Sequence, residues 1–158
     1  MSVKKRRQYR ILGKLLFILY IIFVFYFLLI SEIYGRTGEM QEYHYNLILF
    51  KEIRRFWNYR EQLGIFSVFA NLAGNILIFI PIGFFLPMAS VHRNFSVLTF
   101  EAFFISLVIE VTQLITKVGS FDVDDLFLNT LGGVIGYIIF VICNGIRRNY
   151  GKKRRKRS

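Results

Sequence analysis

Four near-continuous apolar runs, each about 20 residues long, decide what this chain can fold into. They cover residues 12–30, 65–88, 97–115 and 126–143. As a helix, a run of about 19 residues spans roughly 28 Å, close to the ~30 Å thickness of a bilayer's hydrocarbon core. Hydrocarbon offers no hydrogen-bond partners, so a spanning segment of this length must satisfy its own backbone as a helix. A soluble domain of 158 residues can bury a core but has no use for four such runs. A 54% hydrophobic composition and a mean hydropathy of +0.45 agree. The expected fold class is an all-α integral membrane protein with four transmembrane helices. Residues 1–11 form a basic N-terminus, 12–143 one four-helix membrane domain and 144–158 a basic tail.

A formal charge of +11 invites a nucleic-acid reading, but its distribution favours membrane topology. Lys4, Lys5, Arg6, Arg7, Arg10 and Lys14 lie at or before the first span. Eight more Lys and Arg residues follow the last span, from Arg147 to Arg157. Four spans put both ends on one side, and the positive-inside rule makes that side cytoplasmic. With Arg93, fifteen basic residues fall inside and six outside. The basic ends are expected to touch anionic lipids, with no nucleic-acid partner. The apolar core of the first span is too long for a signal peptide, and no small-residue cleavage site follows it, so it reads as an uncleaved anchor.

The longest non-spanning stretch, residues 31–64, is expected outside. Its first part, EIYGRTGEMQEYHYN, reads as loop. Residues 48–63 place Leu49, Ile53, Phe56 and Leu63 at helical spacing, with Lys51, Arg54, Arg55 and Glu61 largely elsewhere on the wheel. This is an amphipathic helix on the outer surface, lying on the leaflet or packed over the bundle mouth. Pro81 is expected to kink or open the second span, and Pro87 to mark its end. His44 and His92 fall on opposite sides and share no metal. Cys143 is the single cysteine, which excludes an intrachain disulfide and a cysteine metal site. No cofactor or metal is called for.

Polar residues inside the spans are costly and mark function or helix pairing. Asn71 and Asn75 share a face in the outer turns of the second span. Glu110 and Gln113 share one in the third, with Ser106 a turn deeper. Asp122, Asp125 and Asn129 form a stripe into the fourth, continued by Gly132 and Gly136. Threading brings these sets to one depth in the outer half. Asn71, Gln113 and Ser106 taken singly read as glue between helices. Glu110 with Asp122 and Asp125 reads as a functional set. Asp124 points off the stripe, toward solvent or as a helix N-terminal charge. Glu101 snorkels or caps at the other end. The two glycines offer a surface for close helix approach and permit a homodimer.

These same residues carry a resemblance. NLAGNILIFIPIGFFLP, SLVIEVTQ and FDVDDLFLNTLGGVIGY are similar to segments of the VanZ-like family of small bacterial membrane proteins. The family's N-x-x-x-N, P-x-G-x-x-x-P, I-E-x-x-Q and D-x-D-D-x-x-x-N-x-x-G-G patterns occur here in order, within residues 45–137. By position, its characteristic polar residues fall on Asn71, Asn75, Glu110, Gln113, Asp122, Asp124, Asp125 and Asn129. NLILFKEI resembles its N-L-I-P-F segment, with Leu49 where proline is usual. The resemblance implies a bacterial plasma-membrane protein with a role in tolerance of glycopeptide or lipoglycopeptide antibiotics such as teicoplanin, or more broadly in the cell envelope.

Three functions stay open at this point. The outer cluster binds an antibiotic or a lipid-linked peptidoglycan precursor, since acids suit ammonium groups and amides suit peptides. Alternatively the chain is an intramembrane enzyme on a lipid-linked substrate, with paired carboxylates as acid and base or as oxygen ligands to a metal. No His, Cys or activated nucleophile joins the cluster, and no catalytic residue is assigned. A small cation- or proton-coupled transporter comes third.

Overall fold

The computed structural model describes residues 3–29, 43–90, 94–117 and 119–155. Most of the expected outer loop, His92 and Arg93 lie outside the described residues. The elements are α1 (Val3–Leu29), β1 (Tyr45–Asn46), α2 (Lys51–Asn58), α3 (Arg60–Leu63), α4 (Ile65–Ala89), α5 (Phe95–Thr116), β2 (Phe121–Asp122) and α6 (Val123–Arg155). Four helices, α1, α4, α5 and α6, are long and apolar enough to cross a membrane. Each covers one of the four apolar runs.

The bundle has two kinds of apolar surface. Val24, Phe79, Ile82 and Ile109 form a small buried core. Outside it, Leu15, Leu19, Phe23, Leu77, Phe100 and Ile142 are all exposed. A soluble protein does not display apolar side chains so widely, whereas hydrocarbon accepts them without cost.

The helices pack through small residues. The faces of Gly132 and Gly136 lie against α4, where an added Cβ would collide with the carbonyl oxygens of Ile76 and Ile80. These two positions need hydrogen as a side chain for the backbones to meet. The stripe expected to admit a neighbouring helix is thus filled by the chain's own α4, so a second copy would need another face. Gly13 of α1 packs on Met88 at the end of α4, and the Arg147 guanidinium lies 4.2 Å over the Tyr9 ring. Those contacts bring the start of α1 and the far part of α6 to one end of the bundle.

α4 runs uninterrupted through Pro81, and continues past Pro87 to Ala89. The Tyr20 hydroxyl donates a 2.8 Å hydrogen bond to the Ile78 carbonyl, one turn before Pro81. A neighbouring helix thus supplies a donor where proline disturbs the ladder. Pro87 is fully buried near the helix end, where few backbone bonds remain for it to break. α5 begins at Asn94, whose side chain accepts the Ser96 N–H at 2.9 Å and caps the helix. α6 continues without a break from the fourth span into the basic tail, as far as Arg155.

Two helices form within residues 48–63. α2 spans 8 residues and α3 spans 4, separated at Tyr59. β1 pairs with β2 in parallel, Tyr45 opposite Phe121 and Asn46 opposite Asp122. This short parallel pair adds two strands to an otherwise helical architecture, and it ties the segment before α2 to the start of α6.

Candidate functional site

The polar residues singled out in the spans converge at the end of the bundle where α4 begins, α5 ends and α6 begins. Their geometry is a hydrogen-bonded network that clamps the 43–58 segment in place.

Asp122 is its centre. Its backbone N–H donates to Glu110 Oε2 at 3.1 Å. Its Oδ1 accepts from Asn46 Nδ2 at 3.1 Å and from the Asp124 N–H at 2.8 Å. Asp122 is 6% exposed and lies just before the fourth span. Burial pushes its carboxyl above the ordinary carboxylate value, outweighing the hydrogen bonds from Asp124 and Asn46 that pull it down; the charges of Asp124 and Glu52 push it further up. Asn46 in turn holds its own loop, with Oδ1 accepting the Ile48 N–H at 3.1 Å. This is the local side-chain turn that asparagine favours.

Asp124 takes a position the sequence misplaced. It is buried at 1% exposure rather than solvated. Its carboxylate accepts from the backbone N–H groups of Phe50, Glu52 (2.8 Å) and Ile53 (3.1 Å). It does serve a helix N-terminus, but that of α2 as well as lying in the first turn of its own α6. The unpaired N–H groups and the positive end of the α2 dipole both favour a carboxylate here. Phe50 sits at φ 65, a backbone region that a bulky residue rarely adopts. The Asp124 carboxylate on its N–H, and the edge of its ring against Phe127 at 5.5 Å, hold it there.

The other predicted residues divide. Asn75 of α4 donates through Nδ2 to Asp125 Oδ1 of α6. One turn deeper, Asn129 Nδ2 donates to Ser106 Oγ at 3.0 Å, and Asn129 Oδ1 is buried without a partner. Gln113, near the end of α5, is buried at 4% exposure. Asn71 stands apart, exposed on the first turns of α4. Four predicted residues, Glu110, Gln113, Asp122 and Asn129, are therefore buried, whereas Asn75 and Asp125 are half-buried at the lip of the network. Among the described residues, no three His, Cys, Asp or Glu side chains are placed to hold a metal ion.

Sequence reasoning passed over Asn46 as a site residue. Its signal was the Asn that opens NLILFKEI, a lone polar residue before an apolar stretch. What the network presents outward is basic and aromatic. Lys51, Arg54, Arg55 and Trp57 of α2 are exposed, Tyr59 follows them, and the Arg60 guanidinium lies 5.1 Å over the Trp57 ring. At the edge, Lys117 covers the Tyr43 ring at 4.8 Å.

Comparison with known proteins follows the same residues. The family described as VanZ/LLP1 matches residues 17–144. Protein VanZ of Enterococcus faecium is 30% identical over 107 residues, which cover 62% of this chain and 66% of that protein. The chain thus spans just under two thirds of that relative's length. No solved structure matches it. The match contains every residue of the network, and on it the chain belongs to the VanZ/LLP1 family.

Proposed function

We propose that this chain is a multi-pass protein of the bacterial plasma membrane that contributes to tolerance of glycopeptide or lipoglycopeptide antibiotics such as teicoplanin. It does so by engaging the antibiotic, or a lipid-linked peptidoglycan precursor, at the end of the bundle that holds the acid–amide network. Family membership and the relative named VanZ support the envelope role. The observation that carries the site is the clamp of Asp124 on the first turn of α2. It fixes a helix whose exposed face is Lys51, Arg54 and Arg55 beside Trp57.

In this reading the residues divide by accessibility. Glu110, Gln113, Asp122, Asp124 and Asn129 position. Asn75 and Asp125 at the lip contact the ligand, together with the exposed Asn71 on the first turns of α4 and the α2 cations. Guanidinium and ammonium groups suit the phosphates of a lipid-linked precursor, and the amides and Asp125 suit its peptide or an antibiotic's amine. The basic termini face the cytoplasm, and this end faces outward.

Trp57 is the single tryptophan and lies on α2, so it reports binding directly. Titrating purified protein with lipid-linked precursor or with teicoplanin should change its emission saturably. Replacing Arg54 and Arg55 with Ala should weaken the response to the precursor. No saturable change with either ligand would sink the reading.

A further inference from the structure

Leu47, Ile48, Leu49 and Phe50 precede α2 and belong to no span, yet all four are exposed, Ile48 at 65%. Soluble surfaces rarely carry such a run. What covers it here follows from its depth. Leu49 shares a hollow with Phe103 of α5 and with Leu126, Phe127 and Thr130 of α6. The Phe50 ring meets Phe127 edge-on at 5.5 Å. Leu126 and Thr130 lie three and seven residues after Val123, the start of α6, or about 5–10 Å at ~1.5 Å per residue. Leu49 is therefore abreast of the fourth span and not above it.

Apolar side chains farther out show how far hydrocarbon reaches. Gly133 of α6 meets Ala102 of α5; from there α6 has ten residues to Val123 and α5 fourteen to Thr116. Gly132 meets Ile76 of α4, with nine residues to Val123 and ten back to Phe66. Phe66 and Ile115 thus stand beyond the start of α6, and they are 83% and 68% exposed. Hydrocarbon that covers these two also covers a loop lying inboard of them.

The loop's backbone suits that place. Irregular backbone at membrane depth is tolerated where protein satisfies its polar groups. Asn46 Oδ1 accepts the Ile48 N–H at 3.1 Å, and the Asp124 carboxylate accepts those of Phe50, Glu52 and Ile53. The Ile48 carbonyl accepts from the Lys51 N–H and from Asn46 Nδ2, each at 3.3 Å. Water would serve these groups on an exposed loop without a buried carboxylate.

We propose that residues 47–50 are the tip of a re-entrant loop inserted among the acyl chains of the leaflet at the network end of the bundle. The chain enters and leaves by that one side, because α1 before the loop ends there and α4 after it begins there. α2 leads back toward the headgroups, which exposed Lys51 and Arg54 reach on their long stems. The claim rests on the four spans and not on the ligand proposed above, so either can fail alone.

Electron paramagnetic resonance of the full chain in liposomes tests it, with a nitroxide at position 48 (Ile48→Cys) on a Cys143→Ser background. Reference labels replace Leu77, exposed midway along α4, and Glu61, exposed on α3. The label at 48 should collide with oxygen several-fold more often than with a water-soluble nickel chelate, as at 77, and the label at 61 should show the reverse. Tryptophan emission reads the same depth without a label. In Ile48→Trp with Trp57→Phe, lipids brominated along the chain should quench and aqueous iodide should not. Agreement between the two readouts separates the depth of the loop from damage by one substitution. Chelate access at 48 equal to that at 61 overturns the proposal. So does shielding from both reagents, which means that protein, from this chain or a second copy, covers the loop.

Discussion

The Asp124 carboxylate accepts a 2.8 Å hydrogen bond from the Glu52 backbone N–H, joining the first turn of α6 to the first turn of α2 across 72 residues of sequence. Two neighbouring N–H groups, of Phe50 and Ile53, share the same carboxylate. The start of one helix is thus held by a side chain from the start of another.

Removing that carboxylate should release α2 and leave the bundle intact. Losing a helix cap costs about 1 kcal/mol, and hydrogen bonds to a charged group about 1.5–3 kcal/mol each. Asp124→Ala should speed hydrogen exchange at the amides of Phe50, Glu52 and Ile53 by one to two orders of magnitude, about 1.4 kcal/mol per tenfold. Amides in the middle of α4 and α6 should be unchanged. Protection at all three positions equal to wild type would refute the capping role.

Asp122 predicts a pH dependence. Its carboxyl is raised on folding by burial, so the folded state holds the proton more tightly than the unfolded chain, whose value is near 3.8. Its contribution is fully present below that unfolded value. It is lost as the pH climbs through the raised folded value. Asp122→Asn keeps an oxygen to accept from Asn46 and Asp124 but cannot ionise. Across that window the wild type should lose stability with rising pH relative to Asp122→Asn, followed as thermal unfolding in detergent. A constant difference between the two proteins would remove Asp122 from the account.

Glycine packing between α4 and α6 makes a stability prediction. Gly132→Ala and Gly136→Ala each force a Cβ onto a carbonyl oxygen of α4 and should cost about 1–3 kcal/mol. Gly145→Ala meets nothing within 4 Å and should be neutral, or stabilising by up to about 1 kcal/mol. Unfolding curves in detergent compare the three. Equal effects at Gly136 and Gly145 would contradict the close approach.

Ser106 and Asn129 should behave as a coupled pair. Ser106→Ala strands the Asn129 amide, whose Oδ1 is already without a partner, at about 1–3 kcal/mol. Asn129→Leu should cost much less when Ser106 is already Ala than when it is Ser. A double-mutant cycle reads the coupling, and strict additivity would show that the bond contributes nothing.

Much of this was legible in the sequence, for physical reasons that differ by element. The spans were readable because bilayer thickness sets their length, and α1, α4, α5 and α6 each cover an apolar run. The pairing of α4 with α5 and α6 near Asn75, Glu110 and Asp125 followed from threading alone. Asp124 was not readable. Helical spacing shows which face of α6 a residue takes, but not that another segment would fold back over that face. Asn46 was hidden for the same reason, since its partner Asp122 is 76 residues away. The opening allowed for at Pro81 does not occur, since α4 is one helix through it, and propensity rules do not see the Tyr20 hydroxyl that a neighbouring helix supplies beside it. Gly132 and Gly136 were correctly seen as a contact surface, but spacing could not say that the chain's own α4 fills it.

The most direct test of the central claim is teicoplanin susceptibility of a deletion strain carrying wild type, Glu110→Gln or Asp124→Asn, with membrane levels checked by blot. The account predicts that wild type restores tolerance and that both variants fail to, at undiminished abundance. Variants that protect as well as wild type would reduce the acid–amide network to helix glue and contradict the account.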